Sequence, residues 1–208
     1  MYGIQRPWGV AVKATAEARA QPELARIAFK IVRTEPSPAA AFAAANDAVA
    51  RVREALREHA VADEAVEGSR LNLTTMWSYV DTPRTFLGYE CQAAFTVEAT
   101  NLDDVQGLLV DLVAAGANEI ESVQFDVRAQ SELLAEARRL AVVAAREKAE
   151  SYARAAGVRL GPVVHIADDE ATPIPRALAM QGPSGPDLVP GRVVVTATVT
   201  VGFALAQP

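Results

Sequence analysis

The stretch from Gly88 to Gly157 constrains the fold more than any other part of the chain. Tyr89, Cys91, Ala93, Phe95, Val97 and Ala99 alternate with Glu90, Gln92, Thr96 and Glu98, which predicts a strand with one buried face. Asn101-Leu102-Asp103-Asp104 then opens a helix that closes on Ala114-Ala115-Gly116-Ala117-Asn118. A strand through Phe125 follows, and a long helical pattern from Ser131 ends on Ala155-Ala156-Gly157. Gly157 can take the left-handed conformation that terminates a helix. Strand, helix, strand and long helix in immediate succession require a sheet with helices laid on it.

The flanking segments extend the same pattern. Trp8, Val10, Val12, Ala14 and Ala16 alternate with Lys13, Thr15 and Glu17, and Gln21-Pro22-Glu23 marks a turn. Ala25, Ile27, Phe29 and Ile31 form a second strand, expected to pair with the first as a hairpin. Ser37 can cap a helix that has Pro38 at its first position. Phe42, Ala45, Val49, Val52 and Leu56 give that helix an apolar stripe at three- and four-residue spacing. Leu71, Leu73, Thr75, Trp77 and Tyr79 predict a further strand, turned by Asp81-Thr82-Pro83-Arg84 into the one at Gly88. In the next helix Leu102, Val105, Leu108, Leu109 and Leu112 face inward.

On the long helix, 100° per residue sets Glu132, Glu136, Arg139, Arg146, Glu147, Glu150 and Arg154 on one face. Leu134, Ala137, Ala141, Ala145 and Tyr152 lie opposite. Val163, Val164 and Ile166 form a short strand. Residues 168–190 hold Asp168-Asp169-Glu170, five prolines and two glycines, the composition of a long mobile loop. Val193 to Leu205 then alternate with Thr196, Thr198 and Thr200 in the clearest strand of the chain. The order is ββα-ββα-β-α-β-β. The expected fold is α/β (α+β), antiparallel sheets packed against helices, in a single domain 1–208 with possible lobes 8–68 and 69–205.

Composition narrows the function classes. The formal net charge is −6, which disfavours a surface for neutralising nucleic-acid phosphates. The single Cys91 excludes an intrachain disulfide. No run approaches the roughly 20 apolar residues of a membrane-spanning helix. The first residues, Met1 to Pro7, lack the apolar core of a signal peptide. The expectation is a cytoplasmic protein, the alternative being a periplasmic or secreted one from which a leader has been trimmed.

The ordered set of segments resembles the SIMPL-domain family. The resemblance spans about Val10 to Leu205. It is carried by Gly88-Tyr89-Glu90-Cys91, Asn101-Leu102-Asp103-Asp104-Val105, Ala114-Ala115-Gly116-Ala117-Asn118-Glu119-Ile120, Ala145-Arg146-Glu147-Lys148-Ala149-Glu150, Ala155-Ala156-Gly157-Val158-Arg159-Leu160-Gly161 and Pro190-Gly191-Arg192-Val193. That family includes bacterial oxidative-stress-defence and outer-membrane immunogenic proteins. The resemblance implies antiparallel strands packed on helices, homo-oligomers that include ring- or channel-like assemblies, and no catalytic residues to transfer. Ala60 stands where the family often has Gly at the end of the first helix.

The reactive side chains point the same way. His59 sits at a helix end, where a charged imidazole favours the local carbonyls. His165 sits in a different element, with no His or Cys partner at metal-ligand spacing. Cys91 shares a strand face with Phe95 and Val97 and reads as a buried, inert thiol. Asp168-Asp169-Glu170 lacks the glycine-centred loop of a calcium site and reads as a solvated acidic run. Lys148 lies near the apolar side of the long helix, its stem buried and its ammonium wet. No cofactor and no metal are expected. The leading function is a non-enzymatic, self-assembling protein, a homo-oligomer, with a stress-related or scaffold role that the resemblance alone implies. Its possible interface residues are Trp8, Trp77, Tyr79, Lys148, Ile174 and Met180. The alternative is a module that binds a ligand or an unidentified protein partner through the 168–190 loop.

Overall fold

In the computed structural model, residues 9–78, 85–169, 176–177 and 191–207 are described. The elements follow the expected order: β1 (Gly9–Ala20), β2 (Leu24–Glu35), α1 (Pro38–Glu58), β3 (Val66–Ser78), β4 (Thr85–Ala99), α2 (Val105–Ala115), β5 (Glu119–Asp126), α3 (Gln130–Ala155), β6 (Arg159–Asp168), the two-residue β7 (Arg176–Ala177) and β8 (Val193–Ala206). The strands form two antiparallel sheets. One runs β1-β8-β6, with β7 also on β8. The other runs β3-β4-β2-β5.

Contacts divide the chain into two compact units. One holds β1, α3, β6, β7 and β8. The other holds β2, α1, β3, β4, α2 and β5. This division differs from the lobes expected at 8–68 and 69–205. β2 lies between β4 and β5, so a cut after residue 68 would part it from both neighbours. The expected β1–β2 hairpin is corrected. β1 pairs with β8 over twelve residues in unbroken register, Gly9 opposite Ala204 through Ala20 opposite Val193. Alternation specifies which face of a strand is buried and leaves the neighbour open.

In the first unit, α3 lies on β1 and β8. Its buried residues are Ala137, Ala141, Ala145, Ala149 and Ala153, a ridge at four-residue spacing. Ala141, Ala145 and Ala149 meet Val12, Ala14, Val199, Val201 and Phe203. A methyl-only ridge lets the helix approach the sheet closely, so the bulk of this core comes from the strands. Tyr152, expected on the buried side, is 51% exposed. Lys148 is exposed, and its Nζ donates to the Lys13 carbonyl on β1 at 3.2 Å.

In the second unit, α1 packs on β2 and β4, and α2 packs on α1. Ser37 caps α1 by accepting from the Ala40 N–H at 3.2 Å, with Pro38 opening the helix, as its sequence predicts. The buried stripe is Ala41, Ala45, Ala48, Val52, Ala55 and Leu56. Phe42 is displaced from it and 45% exposed, because an alanine face again sets the approach. Ile27, Phe29 and Ile31 on β2 and Cys91, Phe95 and Val97 on β4 are buried beneath. Phe29 faces Phe95 across the strands, their rings stacked at 5.5 Å.

Candidate functional site

The feature that best defines a candidate site is the β3–β4 pair, which α1 does not fully cover. Residues 70–75 of β3 are exposed at every position, so both faces of this strand meet solvent. Leu71 and Leu73 pair with Ala93 and Cys91 and share their helix-side face, yet are 49% and 41% exposed. Toward the hairpin end Trp77 stands edge-on to Phe86 at 5.2 Å, and Phe86 edge-on to Tyr89 at 5.3 Å. Trp77 and Phe86 are each 42% exposed, and Leu87 beside them 55%. Gly88 sits at φ 138°, and a Cβ there would lie 2.8 Å from the Glu35 carbonyl oxygen. Glycine is thus required where β4 leaves the aromatic end and runs in beside β2.

The opposite face of this sheet is polar. Lys30, Arg70, Asn72, Gln92 and Ala94 line a shallow open cleft. Lys30 is held by Glu121 and, at 3.9 Å, by Glu119. Its pKa is raised, first by the hydrogen bond to Glu121. Arg26 pairs with Glu98 at 2.7 Å and with Asp126 at 3.8 Å.

His59 makes an arrangement that its sequence neighbours do not announce. It caps the C-terminus of α1. Its Nδ1–H donates to Asp104 at 2.7 Å and its Nε2–H to Asp111 at 2.8 Å, with the side chain only 13% exposed. A ring that donates from both nitrogens is an imidazolium. Its pKa is raised, first by the Asp104 bond and then by the Asp111 bond. The charge was expected to favour helix carbonyls; instead it clasps the start of α2 to the end of α1. Asp104 and Asp111 are seven residues apart, two turns, and so share a helix face. That spacing was a visible signal, but nothing local joined it to a histidine 45 residues earlier. Gly107 leaves room between them, since a Cβ there would lie 2.8 Å from Asp104 Oδ1.

The other candidates are placed as follows. Cys91 is fully buried against Ala41, Ala45 and Tyr89, and desolvation raises its thiol pKa. His165 is exposed on β6, opposite Gly202. Asp168 pairs with Arg138 at 2.7 Å and Asp169 with Lys13 at 2.6 Å, so both described members of the acidic run are neutralised locally rather than simply solvated. Of the expected interface residues, Trp77 and Lys148 are exposed, on different units. Trp8, Tyr79, Ile174 and Met180 lie outside the described residues, as do Glu170 and most of the 168–190 loop. Phe86 and Leu87 were missed. Their signal was an apolar pair directly before Gly88.

Two antiparallel sheets with helices packed on them define the class as an α/β protein. The chain belongs to the SIMPL family, described as a protein of unknown function (DUF541), which matches residues 10–203. It is 28% identical over 179 residues to the 26 kDa periplasmic immunogenic protein of Brucella melitensis, covering 84% of this chain and 72% of that one. It is 25% identical over 173 residues to the uncharacterized protein YggE of Escherichia coli K12, covering 81% and 70%. The YggE of Edwardsiella ictaluri is 27% identical over 158 residues, covering 76% and 66%. The Brucella relatives are named as periplasmic, which overturns the cytoplasmic expectation. That expectation rested on the composition of the first few residues.

Proposed function

We propose that this chain is a non-enzymatic self-assembling module that works in the periplasm as a scaffold. One observation carries the reading: the β3–β4 hairpin leaves Leu71, Leu73, Trp77, Phe86 and Leu87 exposed to solvent. Apolar residues gathered in this way, rather than scattered singly, mark a protein contact. Aromatic anchors such as Trp77 dominate the energetics of such contacts. Two further observations support a structural rather than a chemical role. His59 engages both ring nitrogens in holding α1 to α2, and Cys91 is a buried thiol whose proton is held more tightly than usual. The periplasmic assignment follows the Brucella relatives.

Light scattering coupled to gel filtration, at micromolar concentration, tests self-association. The expected mass is a multiple of the protomer. Trp77→Ala and Leu73→Glu, both at exposed positions, are expected to shift it toward the protomer without loss of helical signal. A protomer mass for the unaltered protein across that range would overturn the reading.

A further inference from the structure

Among the described residues the two sheets present β1, β6, β5 and β3 as outer strands, and these edges are not alike. Natural sheets guard their edges with charge, proline, bulges or shortness, because a bare edge pairs with any matching strand. β5 is eight residues long, carries Glu119 and Glu121, and shifts register opposite Ala28 and Phe29. β6 carries Pro162 and shifts register on both sides of Val163. β1 is straight, but its solvent face holds Lys13, Glu17 and Arg19. β3 shifts register at Glu67/Ser69 and again at Met76/Trp77, but the stretch between them, Arg70 to Met76, has none of these guards. It runs there in unbroken register with β4, with no proline or lysine and a single charge, Arg70.

We propose that the free edge of β3 pairs antiparallel with β3 of a second copy, in the register that sets Asn72 opposite Asn72. This deepens the self-association reading and rests on it. A two-fold axis at Asn72 puts Leu71 opposite Leu73 of the second copy, and Leu73 opposite its Leu71. The four leucines, each exposed in the single chain, then close over one another on the helix-side face. The same axis sets Arg70 opposite Thr74 of the second copy, so no like charges meet. Thr74 stands beside Glu90 on the same face. Two strand spacings, about 10 Å, separate Arg70 from Glu90 of the second copy, a gap that the two extended side chains span. No described contact gives either Arg70 or Glu90 an ion-pair partner within its own chain, and the pairing supplies one twice over. An axis at Leu73 instead would set Leu71 against Thr75 and Arg70 against Met76, losing both the leucine cluster and the charge match. The Asn72 register joins two four-stranded sheets into one continuous sheet.

Site-directed crosslinking in a Cys91→Ala background tests this, with circular dichroism to verify folding. Asn72→Cys, on the axis, is expected to form a disulfide dimer under mild oxidation. Arg70→Cys and Thr74→Cys are each expected to stay uncrosslinked alone and to crosslink when mixed. Arg70→Glu is expected to weaken association about tenfold, and Arg70→Glu with Glu90→Arg to restore it. Crosslinking of Asn72→Cys without crosslinking in the mixture marks random collision and overturns the register. An assembly that persists by light scattering while Asn72→Cys stays uncrosslinked overturns the β3 pairing and leaves self-association standing. A protomer by light scattering removes both.

Discussion

At the scale of single residues, two neighbours at the end of α1 carry opposite lessons. His59 bridges Asp104 and Asp111 as a cation, and its pKa is raised in the folded state. A raised folded-state value means that the folded protein holds the proton more tightly than the unfolded chain. The stabilisation is therefore complete below the unfolded value of about 6.5 and is lost as pH rises through the folded value. His59→Gln is expected to cost about 1–2 kcal/mol at pH 6, because the partner carboxylates are half exposed and screened. Denaturant melts at pH 6 and pH 9 check it: the gap between wild type and variant should narrow at the higher pH. Ala60 next door takes φ 55°. Its N–H bonds the Arg57 carbonyl and that of Val61 bonds Leu56, the pattern that ends a helix on a left-handed residue. Alanine is strained there, where the family often has glycine. Ala60→Gly is expected to stabilise by about 1 kcal/mol, raising the thermal midpoint by about 2–4 °C. A midpoint that falls would show that chain entropy in the unfolded state outweighs the relieved strain.

Among the elements, α3 is the most exacting. Ala137, Ala141, Ala145, Ala149 and Ala153 are its buried residues, all of them alanine. Ala145→Leu is expected to destabilise by about 1–3 kcal/mol through overpacking, while the exposed Val143→Ala should change little; paired urea melts check both. Phe29→Ala, which removes one ring of the stacked pair, is expected to cost about 3–5 kcal/mol. These elements were largely legible in the sequence. Alternation located β2, β4 and β8, and Ser37-Pro38 located the start of α1. What stayed illegible was whatever depends on a distant neighbour. The pattern in Val10 to Ala16 shows a buried face and cannot say that β8, rather than β2, completes it. The stripe through Phe42 weighted size, whereas the structure selected Ala41 and Ala48 for closeness. Of the candidate site, Trp77 was legible as an aromatic on a strand. Phe86 and Leu87 joined it only once the hairpin register was known.

For the whole molecule, the proposed pairing through β3 would make apparent stability a function of concentration. If association holds only folded protomers, the thermal midpoint rises with protein concentration, since anything that binds the folded state alone stabilises it by mass action. Calorimetry from about 5 to 500 μM is expected to show that rise, and Leu73→Glu to flatten it. A midpoint independent of concentration would count against association in this range. The pairing of β1 with β8 has a different consequence, one of timing. A ribosome releases residues 9–20 well before residues 193–206. The sheet that holds β1 cannot close until β8 has emerged, since β8 is the strand that joins β1 to β6. Until then β1 and β6 lack the strand that joins them, while the second unit already holds all four strands of its own sheet.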